Sequence, residues 1–371
     1  MRVLFVCPMY HPYTGGSARY FPLLVREFQK RKEVERVFVL TEWHEGRPLV
    51  ERDGKATVIR ALPARDGLSK RPYLLHVLSF FLTYAIFTIV IPLIARGLSV
   101  DLIHYTRYFN RYFYGLLRMT GAKVIVDIRG AGMAGKKMRR IRKFDYIICS
   151  SETIAGQLRS RGFREEMYSV IPVPFESPTI ADENVERGIL EEYGLLGCRP
   201  YICFVGVLRR AKGIYELVEA FEMLCSETRA YELVVLGRNR EGRDIMKRFS
   251  RNGRIKYLGA VHPDKVSSII HGCEILVLPS HAESMPRACL EGIALGRKVI
   301  LPPNLPEFKR SCPEFVLDNN RPETIRSKIK QVLSSKELPR YPLQEHSPSR
   351  TTEKLITIYH TVCNAASKMV S

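Results

Sequence analysis

Short apolar runs alternate with amphipathic stretches along most of the chain. Arg2–Cys7, Val37–Leu40, Thr57–Arg60, Leu102–Tyr105, Lys123–Asp127 and Tyr146–Ser150 are dense in Val, Ile, Leu and Phe and too short for helices, which predicts buried strands. Ala18–Arg31 and Glu152–Arg159 space their apolar residues three and four apart and predict helices. Tyr168–Pro178 holds three prolines and predicts a link between domains. Beyond it the alternation resumes. Strands are expected at Tyr201–Val207, Glu232–Gly237, Arg254–Gly259, Glu274–Leu278 and Lys298–Leu301, and helices at Gly213–Leu224, Asp264–Cys273, Pro322–Leu333 and Thr351–Met369. Strand–helix–strand repetition of this kind folds as α/β, with parallel sheets covered on both faces. A chain of 371 residues exceeds one core. Two domains follow, 1–172 and 173–350.

One stretch breaks the pattern. Pro72–Ala95 runs 24 residues with no Lys, Arg, Asp or Glu, long enough to cross a bilayer. A single crossing would put Arg2–Cys7 and Leu102–Tyr105 on opposite sides of the membrane, although both belong in one parallel sheet. It is therefore expected to be an enlarged crossover helix, either wholly buried or with one face in the membrane interface. Its neighbours favour the second. Tyr105–Arg118 interleaves aromatics with Arg107, Arg111 and Arg118, and Lys136–Lys143 packs six cations into eight residues. The net charge is +20, and residues 1–180 hold 29 Lys and Arg against 15 Asp and Glu. An anionic partner is expected, with an acidic membrane surface preferred. Nucleic acid is not, since no recognition motif accompanies the charge.

Nine cysteines without a C-x-x-C pair read as free thiols in a reducing cytosol. The apolar N-terminus Met1–Pro8 is too short for a signal-peptide core. Cytoplasmic residence, peripheral at the inner face of the membrane, is the resulting expectation. No G-x-G-x-x-G, Walker A, G-x-S-x-G or H-E-x-x-H occurs, and His262, His271 and His281 lack ligand spacing. Neither metal nor cofactor is expected.

The candidate chemistry gathers in Cys273–Ile300, which reads as strand, loop, helix, strand. Glu283 lies in the loop, Pro286 can take the first helical turn, and Glu291 follows eight residues after Glu283. Helical side chains lean toward the N-terminus, so both acids can border one cleft with the free N–H groups of the helix start beside them. They are otherwise ordinary helix-start charges. Gly15-Gly16 sits at the first strand-to-helix turn, where backbone can approach an anion or simply reverse direction. Asp127-Ile128-Arg129-Gly130 closes another strand; Asp127 and Arg129 are either site residues or a buried ion pair.

The spacing Glu283-x7-Glu291, with Pro279-Ser280 before it and Leu290-Glu291-Gly292 at its end, resembles the E-x7-E motif of retaining GT-B glycosyltransferases, closest to glycosyltransferase group four. Gly206, Lys212 and Gly213 match that group's G-R-L-x-x-x-K-G pattern, with Val207 in place of the arginine. The resemblance covers almost the whole chain. It implies two Rossmann-like domains facing across a cleft, with the C-terminal helix packing back on the first. It implies that Glu283 binds donor-sugar hydroxyls, that Glu291 binds the ribose, and that Gly206 and Lys212 serve the donor diphosphate with Arg209 or Arg210 replacing the lost arginine. Met285, Pro286 and Arg287 fall within the same donor site, and Gly15 and Gly16 at the acceptor mouth. Arg129 stands where relatives carry a histidine; an arginine only donates, which leaves Asp127 to orient the acceptor or steady charge on the sugar. The Asp-x-Asp metal device of the other major glycosyltransferase fold is absent. The expected activity is retaining, metal-independent transfer from a nucleotide-sugar to a lipid-linked or polysaccharide acceptor. An epimerase or hydrolase on the same fold, and a non-catalytic membrane scaffold, are the alternatives.

Overall fold

The computed structural model describes residues 1–8, 10–11, 16–62, 86, 88–106, 111–130 and 141–364. Gly15, most of Pro72–Ala95, Arg107 and Lys136–Arg140 lie outside them. The chain divides into two compact units. One holds Met1–Pro174 and the segment from Glu345 onward; the other holds Phe175–Gln344. The sequence had suggested boundaries at 172 and 350.

The first unit is built on an eight-stranded sheet in the order β3-β4-β2-β1-β5-β6-β7-β8. Its strands are β1 (Arg2–Val6), β2 (Arg36–Glu42), β3 (Val50–Asp53), β4 (Ala56–Leu62), β5 (Leu102–Thr106), β6 (Lys123–Ile128), β7 (Tyr146–Cys149) and β8 (Tyr168–Val170). All pairings are parallel except β3 with β4. β1 pairs with β5 in the register Val3↔Leu102, as the topology argument required. Strand β3, Val-Glu-Arg-Asp, is exposed throughout and held only as an edge of β4, so it carries no buried-strand signal.

Side chains alternate across this sheet. Leu4, Val6, Ile103, Tyr105, Val124 and Val126 pack on one face with Ile91 and Ala95 of a helical stretch at 88–97. Ile89 and Leu93 of that stretch are exposed. On the other face Phe5 meets Phe21 and Phe28 of α1 (Gly16–Gln29) at ring-centroid distances of 5.4 and 5.3 Å. Phe28 meets Tyr359 of the C-terminal helix, Pro348–Asn364, at 5.7 Å. That helix returns to the first unit, where the His346 Nδ1–H donates to Val173 O at 2.9 Å and Thr351 Oγ1 to Pro172 O at 3.3 Å. Among the described residues no helix is long and apolar enough to cross a membrane.

The second unit has a five-stranded, all-parallel sheet in the order β11-β10-β9-β12-β13. These are β9 (Tyr201–Val205), β10 (Glu232–Leu236), β11 (Ile255–Gly259), β12 (Ile275–Val277) and β13 (Lys298–Ile300). The inner strands β9, β10 and β12 are buried on both faces, which explains their continuous apolar sequences, whereas the edge strand β11 is mostly half-buried. Helices Glu183–Glu192 and Arg243–Arg251 were not anticipated. The first buries none of its residues and the second only Ile245 and Phe249, so their patterns are mostly polar.

Candidate functional site

In the second unit the winding reverses between β9 and β12. From β9 the chain adds β10 and β11 on one side, then returns to place β12 and β13 on the other. Loops leaving the carboxyl ends of two such strands diverge and leave a crevice, the usual ligand position in an open parallel sheet. Here the loops are 206–213 after β9 and 278–286 after β12.

Glycine lets these loops close on their neighbours. Gly213 adopts φ +70°, and a Cβ there would lie 1.9 Å from Pro279 O. Gly237 adopts φ +138° and would put a Cβ 1.8 Å from Gly206 O. No L-side chain fits either position. The two loops are also joined by the His281 N–H donating to Ala211 O at 3.0 Å. His281 Nε2 reaches Glu216 Oε1, 3.0 Å away, and Asn304 Nδ2 donates to His281 O at 3.2 Å.

This arrangement brings Lys212 and Glu283 into an ion pair through Glu283 Oε1. Ser280 Oγ donates to the same oxygen at 3.0 Å. Glu283 is buried, whereas Lys212 keeps about a third of its side chain exposed. Glu291 is half-buried on the helix Arg287–Ala294. Cys289 lies between. Burial pushes its thiol well up; Glu283 and Glu291 add to the rise, and Lys212 opposes it. Pro286 stands at the N-cap rather than in the first turn, with its carbonyl accepting from Cys289 and Leu290. Met285 and Pro286 are buried, and Arg287 lies over the Phe175 ring at 6.0 Å.

Val207 is exposed where the pattern has arginine. Arg210 is held close by. Its guanidinium lies over the Tyr215 ring at 4.4 Å, and its backbone N–H donates to Glu241 Oε1 at 2.7 Å. Among the described residues no cluster of His, Cys, Asp and Glu forms a metal site.

The first unit treats its candidates differently. Asp127 is buried (3% exposed) on the face toward α1 and the C-terminal helix. Its Oδ2 accepts from Arg129 Nε at 2.9 Å, Arg129 Nη2 at 2.5 Å and His104 Nε2 at 3.1 Å. Burial pushes the Tyr20 hydroxyl's pKa well up; Arg129 opposes the rise and the nearby Asp127 carboxylate adds to it. Tyr359 closes the chain with a short contact to His104 Nδ1. A carboxylate only accepts, so His104 carries its proton on Nε2 and accepts from Tyr359 on Nδ1. Burial holds the His104 pKa below its ordinary value and keeps the ring neutral. Burial alone would raise Asp127, but Arg129 and His104 outweigh it and lower it to about 2. The guanidinium of Arg129 further stacks on Tyr20 and on Phe21, 4.7 Å from the latter's centroid. This network braces the loop after β6. His104, Tyr20 and Tyr359 gave no sequence signal, because each sits in an apolar run and meets Asp127 only in three dimensions.

Gly15 lies outside the described residues, and Gly16 is the first residue of α1.

Residues 189–345 match the family model described as Glycosyl transferases group 1. The chain is 28% identical over 152 residues to the O-antigen chain mannosyltransferase B of Escherichia coli, covering 39% of each. It is 28% identical over 103 residues to the N,N'-diacetylbacillosaminyl-diphospho-undecaprenol alpha-1,3-N-acetylgalactosaminyltransferase of Campylobacter jejuni, covering 28% of this chain and 26% of that one. The alignments thus span about a third of these relatives. A solved glycosyltransferase from Rickettsia africae superposes with a TM-score of 0.74 at 15% identity, covering 97% of this chain and 98% of its own. The fold is GT-B.

Proposed function

From the premise that the second unit is a glycosyl transferases group 1 domain, we propose that this protein is a hexosyltransferase. It moves a sugar from a nucleotide-sugar to a lipid-linked or polysaccharide acceptor, with retention at the anomeric carbon. The observation that carries this reading is the meeting of Lys212 and Glu283 at the β9/β12 switch, with Glu291 on the helix that follows.

Each part of a nucleotide-sugar has a counterpart there. Lys212 takes the diphosphate, Glu283 the sugar hydroxyls and Glu291 the ribose diol. Vicinal hydroxyls are paired donors and suit carboxylates. Lys212, Arg210 and the N–H groups before Arg287–Ala294 meet the charge on the leaving diphosphate, so no metal is required. The bond from C1 to the β-phosphate oxygen breaks as the acceptor oxygen bonds to C1 on the same face. The acceptor's proton passes to the departing phosphate oxygen, and no protein nucleophile intervenes. The first unit takes the acceptor, with the Asp127 network fixing the loop that meets it.

A membrane-borne acceptor is supported by the basic first half and by Trp43, Leu49, Ile89 and Leu93, all exposed on the first unit. The Campylobacter relative is named for a diphospho-undecaprenol-linked substrate. Peripheral attachment at the cytoplasmic face fits the free cysteines.

The test is turnover of a panel of labelled nucleotide-sugars with polyprenyl-diphosphate-linked sugars as acceptors, the product's anomeric configuration being read by NMR. A product of the donor's configuration is expected. An inverted product contradicts retention, and release of free sugar alone contradicts transfer.

A further inference from the structure

The Lys212–Glu283 pair sets a cation and an anion where the proposed donor puts its diphosphate and its sugar. Both loops are fixed by contacts within the chain. Gly213 lies against Pro279 O, and the Ala211 carbonyl accepts from the His281 N–H. Ser280 Oγ pins Glu283 Oε1 from the other side. Glu283 is therefore held beside Lys212 by the chain's own contacts.

That fixed carboxylate faces two different molecules during a turnover. In the intact donor the β-phosphate is esterified, and the sugar's hydroxyls donate to Glu283. After transfer the sugar is gone and the β-phosphate gains a second ionisation with a pKa of about 6. The spent nucleoside diphosphate then brings one more negative charge toward a carboxylate that has lost its hydroxyl donors. The two anions compete for one ammonium in a partly dry site, where like charges repel strongly.

We propose that Glu283 is a specificity residue that sets the site against the spent nucleoside diphosphate and in favour of the intact donor. This rests on the donor-site reading above. The carboxylate works in both directions: it accepts from the sugar when the sugar is there, and weakens product retention when it is not.

Calorimetry on the full chain tests it, with UDP, GDP, ADP and dTDP and their glucose conjugates as probes and no acceptor present. Glu283→Gln keeps the shape and removes the charge. It should bind the preferred nucleoside diphosphate about tenfold tighter than the native protein, while the matching nucleotide-sugar binds no tighter. Glu283→Ala should tighten in the same sense, which keeps the test open if the glutamine variant misfolds. Glu283→Asp retains the charge and should show no gain. Added salt should shrink the gain. If the native protein binds a diphosphate and Lys212→Met loses it, yet neither neutral variant binds it more tightly, the inference is overturned and the donor-site reading stands. If no diphosphate binds the native protein or its neutral variants, both fall.

Discussion

Each unit sets a carboxylate against a cation where a parallel strand ends, at Asp127–Arg129 after β6 and at Glu283–Lys212 after β12. Asp127 is enclosed. Two tyrosines, a histidine and an arginine complete its surroundings, and His104 and Tyr359 are themselves fully paired within the chain. Glu283 pairs with Lys212 and accepts from Ser280, and Lys212 keeps about a third of its side chain exposed. The same pair of residue types makes a brace in one unit and a binding site in the other. What differs is how far the fold encloses the pair and leaves its cation within reach of a ligand.

The comparison predicts effects of different kinds. Lys212→Met should reduce turnover by about 100- to 1000-fold, equivalent to about 3–4 kcal/mol, with little change in melting temperature. Steady-state kinetics and a thermal melt check it together; a large loss of stability would make Lys212 a brace like Arg129. Asp127→Asn should do the reverse. It leaves the part-buried Arg129 without its counter-charge and should cost about 3 kcal/mol of stability, read by denaturant unfolding.

Acid should act on the Asp127 network in two stages. Asp127 is depressed from 3.8 to about 2. Its contribution is complete above the unfolded value and is lost as pH falls from about 4 through about 2, amounting to about 2 kcal/mol. Asp127→Asn should flatten that part of the stability curve. His104 is lowered below 6.5, so the unfolded chain takes its proton first and stability begins to fall below that pH. His104→Gln should remove this earlier slope.

Gly213→Ala forces a Cβ against Pro279 O at a positive φ and should cost about 2 kcal/mol, with weakened donor binding from the displaced Lys212. Tyr359→Phe leaves His104 Nδ1 buried without its donor. About 1 kcal/mol of stability should be lost, with donor affinity unchanged by calorimetry.

The second unit was the more legible in sequence. Its inner strands are buried on both faces and announce themselves as apolar runs, Lys212 and Glu283 lie near loops where a charge is noticeable, and Glu291 is marked by its spacing from Glu283. Their convergence was less visible, because it depends on β12 returning beside β9, a fact of topology. In the first unit Asp127 and Arg129 stood out as charges closing a strand, but not their surroundings. His104 lies within Leu-Ile-His-Tyr-Thr and Tyr359 lies 255 residues later in the chain. No local pattern links them; only the return of the C-terminal helix does. Helices Glu183–Glu192 and Arg243–Arg251 escaped for a related reason. They bury so little that helical periodicity has almost no apolar residues to act on.

The central claim is that Lys212, Glu283 and Glu291 hold one nucleotide-sugar. The most direct measurement is calorimetric titration of a nucleotide-sugar panel into the native protein and into Glu291→Ala. One nucleotide-sugar should bind the native chain at a single site, and Glu291→Ala should weaken it at least about tenfold while melting at the native temperature. Equal affinity in the two proteins would contradict the account.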